Sequence, residues 1–301
     1  MFSIKKRTQL TGHNASVFAL CKGKDASTFL SGAGDGWMVE WPVTNPDVGR
    51  LLAKTDAQIF SMVFLPEQQT IVAGDMNGGV HWVDLRHPER TRDIAHHGKG
   101  VFSILHAGDF VFTIGGDGIL TRWSASEGRS LESLHLSNQS LRSMDYSKAR
   151  NELALGGSDN NIYLLDAGTF DIRQTLLRAH ENSVFSVRYH PNGQQLLSGG
   201  RDAMLKVWDL EQLARPVSNQ PAHLFTINDI CFLADDTCFA TASRDRTIKI
   251  WNAQTFELLK VLDTIRSGCH VNSVNALLYI AESQLLVSCS DDRSIILWEA
   301  G

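Results

Sequence analysis

Arg178-Ala-His180-Glu-Asn-Ser-Val184, Phe185-Ser-Val-Arg-Tyr189, Pro191-Asn-Gly193, Leu196-Leu-Ser-Gly-Gly200, Arg201-Asp202 and Leu205-Lys-Val-Trp208-Asp209 follow one another as three short strands parted by turns. Apolar and polar residues alternate with a period of two inside each run, and Pro, Asn, Gly and Asp cluster between the runs, which is the hairpin pattern. No window of comparable strength carries helical spacing. The next stretch repeats the reading, from His223 through Phe232, Phe239 to Ser243, Arg244-Asp245 and Ile248 to Trp251. A fourth, outer strand follows each Trp, as in Glu257 to Leu262.

Working outward, the Trp that ends this unit recurs at Trp41, Trp82, Trp123, Trp251 and Trp298, with Leu165 in its place once, so a unit of 41 to 47 residues runs seven times through the chain. A period near 40 to 45 ending in Trp or Trp-Asp belongs to β-propeller blades, which bury their apolar faces only when neighbours stack on them. Stacked repeats evade the size at which a single core splits, so the 301 residues are expected to form one domain, residues 1–301.

Aligned on the Trp, a Ser or Thr stands ten positions before it, an Asp six before it, and a His opens the unit. Five units hold all four parts: His13/Ser31/Asp35/Trp41, His97/Thr113/Asp117/Trp123, His180/Ser198/Asp202/Trp208, His223/Thr241/Asp245/Trp251 and His270/Ser288/Asp292/Trp298. The reason for these residue types is satisfiability. The indole N–H donates to the hydroxyl, the hydroxyl to the imidazole, and the other imidazole nitrogen to the carboxylate. This constellation resembles the WD40 family, and the resemblance covers the whole chain. It implies an all-β, seven-bladed propeller of four-stranded antiparallel blades, each tetrad buried.

Two units depart from the pattern. The second offers Thr55, Val72 and Met76 before Trp82, and the fourth offers Ser137 and Leu155 before Asp159 and Leu165, so neither builds a tetrad. Asp75 or Asn77 stands near the missing Asp of the second unit, but out of register for the same role. The seventh unit has three strands before Gly301, and Ser3 to Leu10, which belongs to no other blade, fits as its outer strand; WD40 propellers usually close this way. Closure removes an exposed edge.

Composition bounds the rest. A net charge of −5, with no basic run longer than Lys5-Lys6-Arg7, gives no footprint for nucleic acid or an anionic membrane. No stretch approaches a membrane span, and Met1 to His13 lacks the apolar core of an export signal, so a cytoplasmic protein, monomeric on its own, is expected. Five cysteines without CxxC spacing read as buried free thiols. Ser, His and Asp in company suggest a hydrolase, yet the trio occurs five times with its hydroxyl committed to an indole, and there is no Gly-x-Ser-x-Gly elbow. No metal-ligand or cofactor motif stands out either: Gly32-Ala-Gly34-Asp-Gly36 and Asp75-Met-Asn77-Gly78 lie in strand-to-strand turns.

In a propeller the inner strands line a central channel, and in WD40 proteins the residue five after the His often faces its mouth. The corresponding residues are Phe18, Phe60, Phe102, Arg142, Phe185, Asn228 and Asn275. Strand alternation alone would equally send these rings between blades as core. Just before the tetrad Asp positions, Arg201 and Arg244 add a basic pair, and Asp75 and Asp291 add acidic groups. The resemblance and the missing catalytic constellation imply a non-enzymatic scaffold binding a peptide or protein loop at this mouth. The alternatives are a subunit of a permanent assembly and an enzyme with its site in the channel.

Overall fold

A computed structural model describes residues 3–46, 48–233 and 236–301. Seven four-stranded antiparallel sheets form, and in blades one to six the strands neighbour one another in chain order. Blade one comprises Val17–Lys22, Thr28–Ala33, Trp37–Pro42 and Arg50–Lys54. The inner strands of blades two to six are Ile59–Leu65, Val101–Ala107, Leu141–Ser147, Val184–Tyr189 and Ile227–Phe232. Blade seven contributes Val274–Ile280, Leu285–Ser290 and Ile295–Ala300, and the outer place is taken by Ile4–Leu10, paired antiparallel to Ile295–Ala300. The N-terminal strand thus closes the last blade, as the sequence predicts.

The core lies between blades. One apolar cluster joins each successive pair, and the last, with Leu10, Val17, Phe29, Trp41, Leu285 and Leu297, joins blade seven back to blade one. Close stacking needs small residues on the second strands: a Cβ on Gly199 would stand 2.6 Å from Ile227 Cγ2 of the next blade. No described helix is long and apolar enough to cross a membrane.

All five tetrads form. In blade five Trp208 Nε1–H donates to Ser198 Oγ at 2.9 Å, Ser198 Oγ lies 2.8 Å from His180 Nε2, and His180 Nδ1 lies 3.0 Å from Asp202. Blades one, three, six and seven repeat this chain. Burial, only partly offset by the Asp partner, pushes His13, His97, His180 and His223 below their ordinary value, which keeps the imidazole neutral and able to accept from the hydroxyl. Each Asp also accepts from turn backbone, as Asp202 does from Glu181 N and Met204 N. Burial opposes ionisation of Asp202, but His180 and these amides together hold its carboxyl below the usual range.

Blades two and four replace the tetrad differently. In blade two His81, from the third strand, lies 2.9 Å from Asp75 and 2.5 Å from Asp93, while among the described residues the buried Trp82 Nε1–H has no hydrogen-bond partner. In blade four Leu155 and Leu165 make the centre apolar, and Ser137 and Tyr163 both donate to Asp159.

Candidate partner-binding mouth

Every inner strand carries one β-bulge near its start, where its pairing with the second strand skips a residue. The skipped residues are Phe18, Phe60, Phe102, Arg142, Phe185, Asn228 and Asn275. A bulge leaves one residue unpaired and re-aims its side chain. Here all seven turn onto the central channel, half-buried, rather than into the blade interfaces.

The rings form a connected arc. Phe18 and Phe60 meet edge to face with centroids 5.1 Å apart, and Phe60 stacks on Phe102 at 5.7 Å. Arg142 continues the arc, its guanidinium 4.3 Å from the Phe102 centroid and 5.2 Å from that of Phe185. Its Nε–H donates to Ser158 Oγ at 2.9 Å. Burial, and then the like charge of Arg201, lowers the Arg142 guanidinium from its ordinary value.

The two asparagines serve the ring itself. Asn228 Nδ2 donates to Val274 O at 2.8 Å, and Asn275 Nδ2 donates to Val17 O at 2.9 Å and to Asp291 Oδ1 at 2.8 Å, each reaching the next blade. Asp291 is thereby turned toward Asn275. Arg201 and Arg244 are exposed, and among the described residues neither guanidinium has a hydrogen bond or an ion pair. Asp75 stands apart from the mouth: it is buried, accepts from Asn77 N and Gly79 N, and faces His81. It lines a separate cleft of about 650 Å³ between blades one and two.

Deeper in the channel lies a triad that spacing did not flag. Arg188 reaches Asp145 at 3.4 Å and Asp229 at 3.2 Å, linking blades four, five and six. Asp145 also accepts from Tyr189 N at 2.7 Å, and Asp229 from Leu277 N at 2.9 Å. Asp145 and Arg188 each fall eight residues after the blade's opening position, so a same-register comparison of charges would have found them, but not Asp229. These carboxylates are occupied in bracing blades.

The channel cavity, about 190 Å³, falls below the usual size of small-molecule sites and admits a side chain or two. The tetrad hydroxyls Ser31, Thr113, Ser198, Thr241 and Ser288 are fully buried, out of reach of a substrate. Burial also pushes the Cys21 and Cys269 thiols up to about 12, the behaviour of an inert cysteine. What the geometry offers is recognition: an aromatic arc with unpaired cations beside it.

These features define a seven-bladed propeller of the WD40 class. The family model described as WD domain, G-beta repeat matches residues 4–41, 171–209, 214–252 and 259–299, together more than half of the chain, and the chain belongs to this family. The matched segments cover blades one, five, six and seven; the unmatched stretch holds both blades without a tetrad. Echinoderm microtubule-associated protein-like 2 of Rattus norvegicus is 25% identical over 270 residues, 86% of this chain and 40% of that protein. Transducin beta-like protein 3 of Rattus norvegicus is 22% identical over 246 residues, 80% of this chain and 27% of that protein. The chain therefore spans well under half the length of these relatives. Eukaryotic translation initiation factor 3 subunit I of Drosophila willistoni is 25% identical over 167 residues, 52% of each chain. The solved WD40 beta propeller domain of Doa1 superposes with a TM-score of 0.85 at 18% identity, covering 99% of this chain and 97% of that one. Propellers of this family are in general non-catalytic platforms for protein interaction.

Proposed function

We propose that this protein is a non-catalytic interaction scaffold of the cytoplasm that seats a peptide or loop of a partner protein at the channel mouth. Phe18, Phe60, Phe102, Phe185 and Arg142 supply the contact, and Arg201 and Arg244 flank it. The observation that carries the reading is the bulge at every inner strand, which sets four rings and a guanidinium around the channel instead of in the core. Aromatic and Arg side chains held rigidly in a concave site are the residue types that dominate interface energies.

The test compares partners captured by the wild-type protein and by a Phe18/Phe60/Phe102/Phe185→Ala variant that still melts cooperatively. Phe60→Ala and Phe102→Ala singly replace it if the fourfold variant does not fold. Loss of captured partners is expected, with each ring worth about 1–3 kcal/mol of binding. Unchanged capture by a folded variant sinks the reading. One relative named as an initiation-factor subunit supports a second reading, a permanent assembly subunit, and a stable monomer when the chain is expressed alone counts against it.

A further inference from the structure

Beside the aromatic arc, blades four to seven carry cations that have no counter-ion among the described residues. Arg201, Arg244, Arg246 and Arg293 are exposed in the turns that hold the tetrad Asp residues, and among the described residues no guanidinium of the four has a side-chain partner. Arg142 bonds Ser158 through Nε, its only hydrogen bond among the described residues, and stands near enough to Arg201 to feel its like charge. The carboxylates at this end are largely occupied. Asp202, Asp245 and Asp292 face their histidines, Asp291 is held by Asn275, and Glu181 is the exposed acid nearby. In a chain of net charge −5, this is a local reversal of sign.

The same end exposes apolar side chains that no sequence pattern singled out. Leu224 is 84% exposed, Phe225 57% and Val271 63%. Their loops are fixed from beneath by the tetrads: Leu224 N donates to Asp245 at 3.0 Å and Val271 N to Asp292 at 3.0 Å. The Phe225 carbonyl accepts from Ser243 Oγ, and Arg244 N donates to Thr226 O, which sets these residues beside Arg244. Exposed apolar side chains on a backbone already fixed lose little freedom on binding.

We infer that the mouth receives an acidic segment of a partner protein, with carboxylates on Arg142, Arg201 and Arg244 and apolar side chains on both the Phe arc and the Leu224–Phe225–Val271 rim. The inference rests on the reading of the mouth as the partner site and adds the chemistry of its ligand. Guanidinium forks match carboxylates two bonds at a time. The apolar rim beside Arg244 calls for a ligand that carries apolar groups as well as acids, which an extended peptide supplies. Unlike charge across the interface also steers encounter.

The probe is a displayed library of random dodecapeptides, selected in parallel on the wild-type protein, on Arg201→Glu/Arg244→Glu and on Phe60→Ala, each checked by melting. Arg201 and Arg244 are exposed and unpaired, so the double variant is expected to fold. Wild-type selection is expected to enrich Asp and Glu next to Phe, Leu or Ile, and resynthesised winners should bind the double variant at least about tenfold more weakly. Their binding should weaken as salt rises. Neutral or basic winners that are lost on Phe60→Ala would overturn the acidic preference and leave the mouth reading standing. Winners indifferent to both variants, or no winners at all, would overturn both.

Discussion

At His180 the imidazole accepts from Ser198 through Nε2 and donates to Asp202 through Nδ1, with its side chain fully buried. Removing it leaves a hydroxyl and a carboxylate buried with a partner missing, which costs more than the net value of the bonds lost. His180→Ala is therefore expected to lower unfolding free energy by about 2–4 kcal/mol. His87→Ala, at an exposed site, should change it by no more than about 0.5 kcal/mol. Denaturant titration of both variants checks this, and equal losses would show that the tetrad does not stabilise. The tetrads were legible because their members keep constant offsets within one unit. The His81 pairing with Asp75 and Asp93 was not: His81 enters from the third strand and Asp93 from the outer strand, outside the offsets that align the other blades.

An inner strand does two jobs, pairing on one edge and presenting one residue to the channel, and the bulge reconciles them. Simple alternation leaves the Phe set's direction open, because one extra residue shifts which face the following side chains occupy. Strand closure depends instead on the sequence of Ile4–Leu10. Ile4 and Leu10 are buried in the interfaces that blade seven makes with blades six and one, while the exposed Lys5 pairs with the half-buried Glu299 at the surface. Deleting residues 1–10 removes both anchors and bares the edge of Ile295–Ala300, a template for pairing with another chain. The truncated protein is expected to unfold over a broader, lower range and to aggregate, as read by thermal melting and size-exclusion chromatography. A truncated protein as stable and monodisperse as the full chain would disprove the closure's importance.

Across the whole ring the buried histidines act together on acid stability. His13, His97, His180 and His223 sit below 6.5 in the folded protein, chiefly through burial. Above 6.5 neither state is protonated at these sites, so they leave stability unchanged with pH. Below it the unfolded chain takes up protons that the folded protein refuses, and stability declines as pH falls through 6.5 toward the lowered folded values. Asp117 and Asp202, held below 3.8, extend the decline to lower pH. The melting temperature is expected to be level above pH about 7 and to drop steadily below pH about 6. A melting temperature that rises on acidification would contradict the neutral tetrad. The sequence by itself determined the number of blades, the tetrads and the two blades without them, and the strand that closes the ring, because each is a relation between residues at short, constant spacing or a leftover strand with one vacant place. Only the tertiary structure decided where Phe18, Phe60, Phe102 and Phe185 point, that Arg142 lies between two rings, that Arg188 joins Asp145 and Asp229, and that Asp75 turns away from the mouth. Those contacts depend on how a bulge aims a side chain and on what adjacent blades bring together around the axis, and neither is expressed in spacing along the chain.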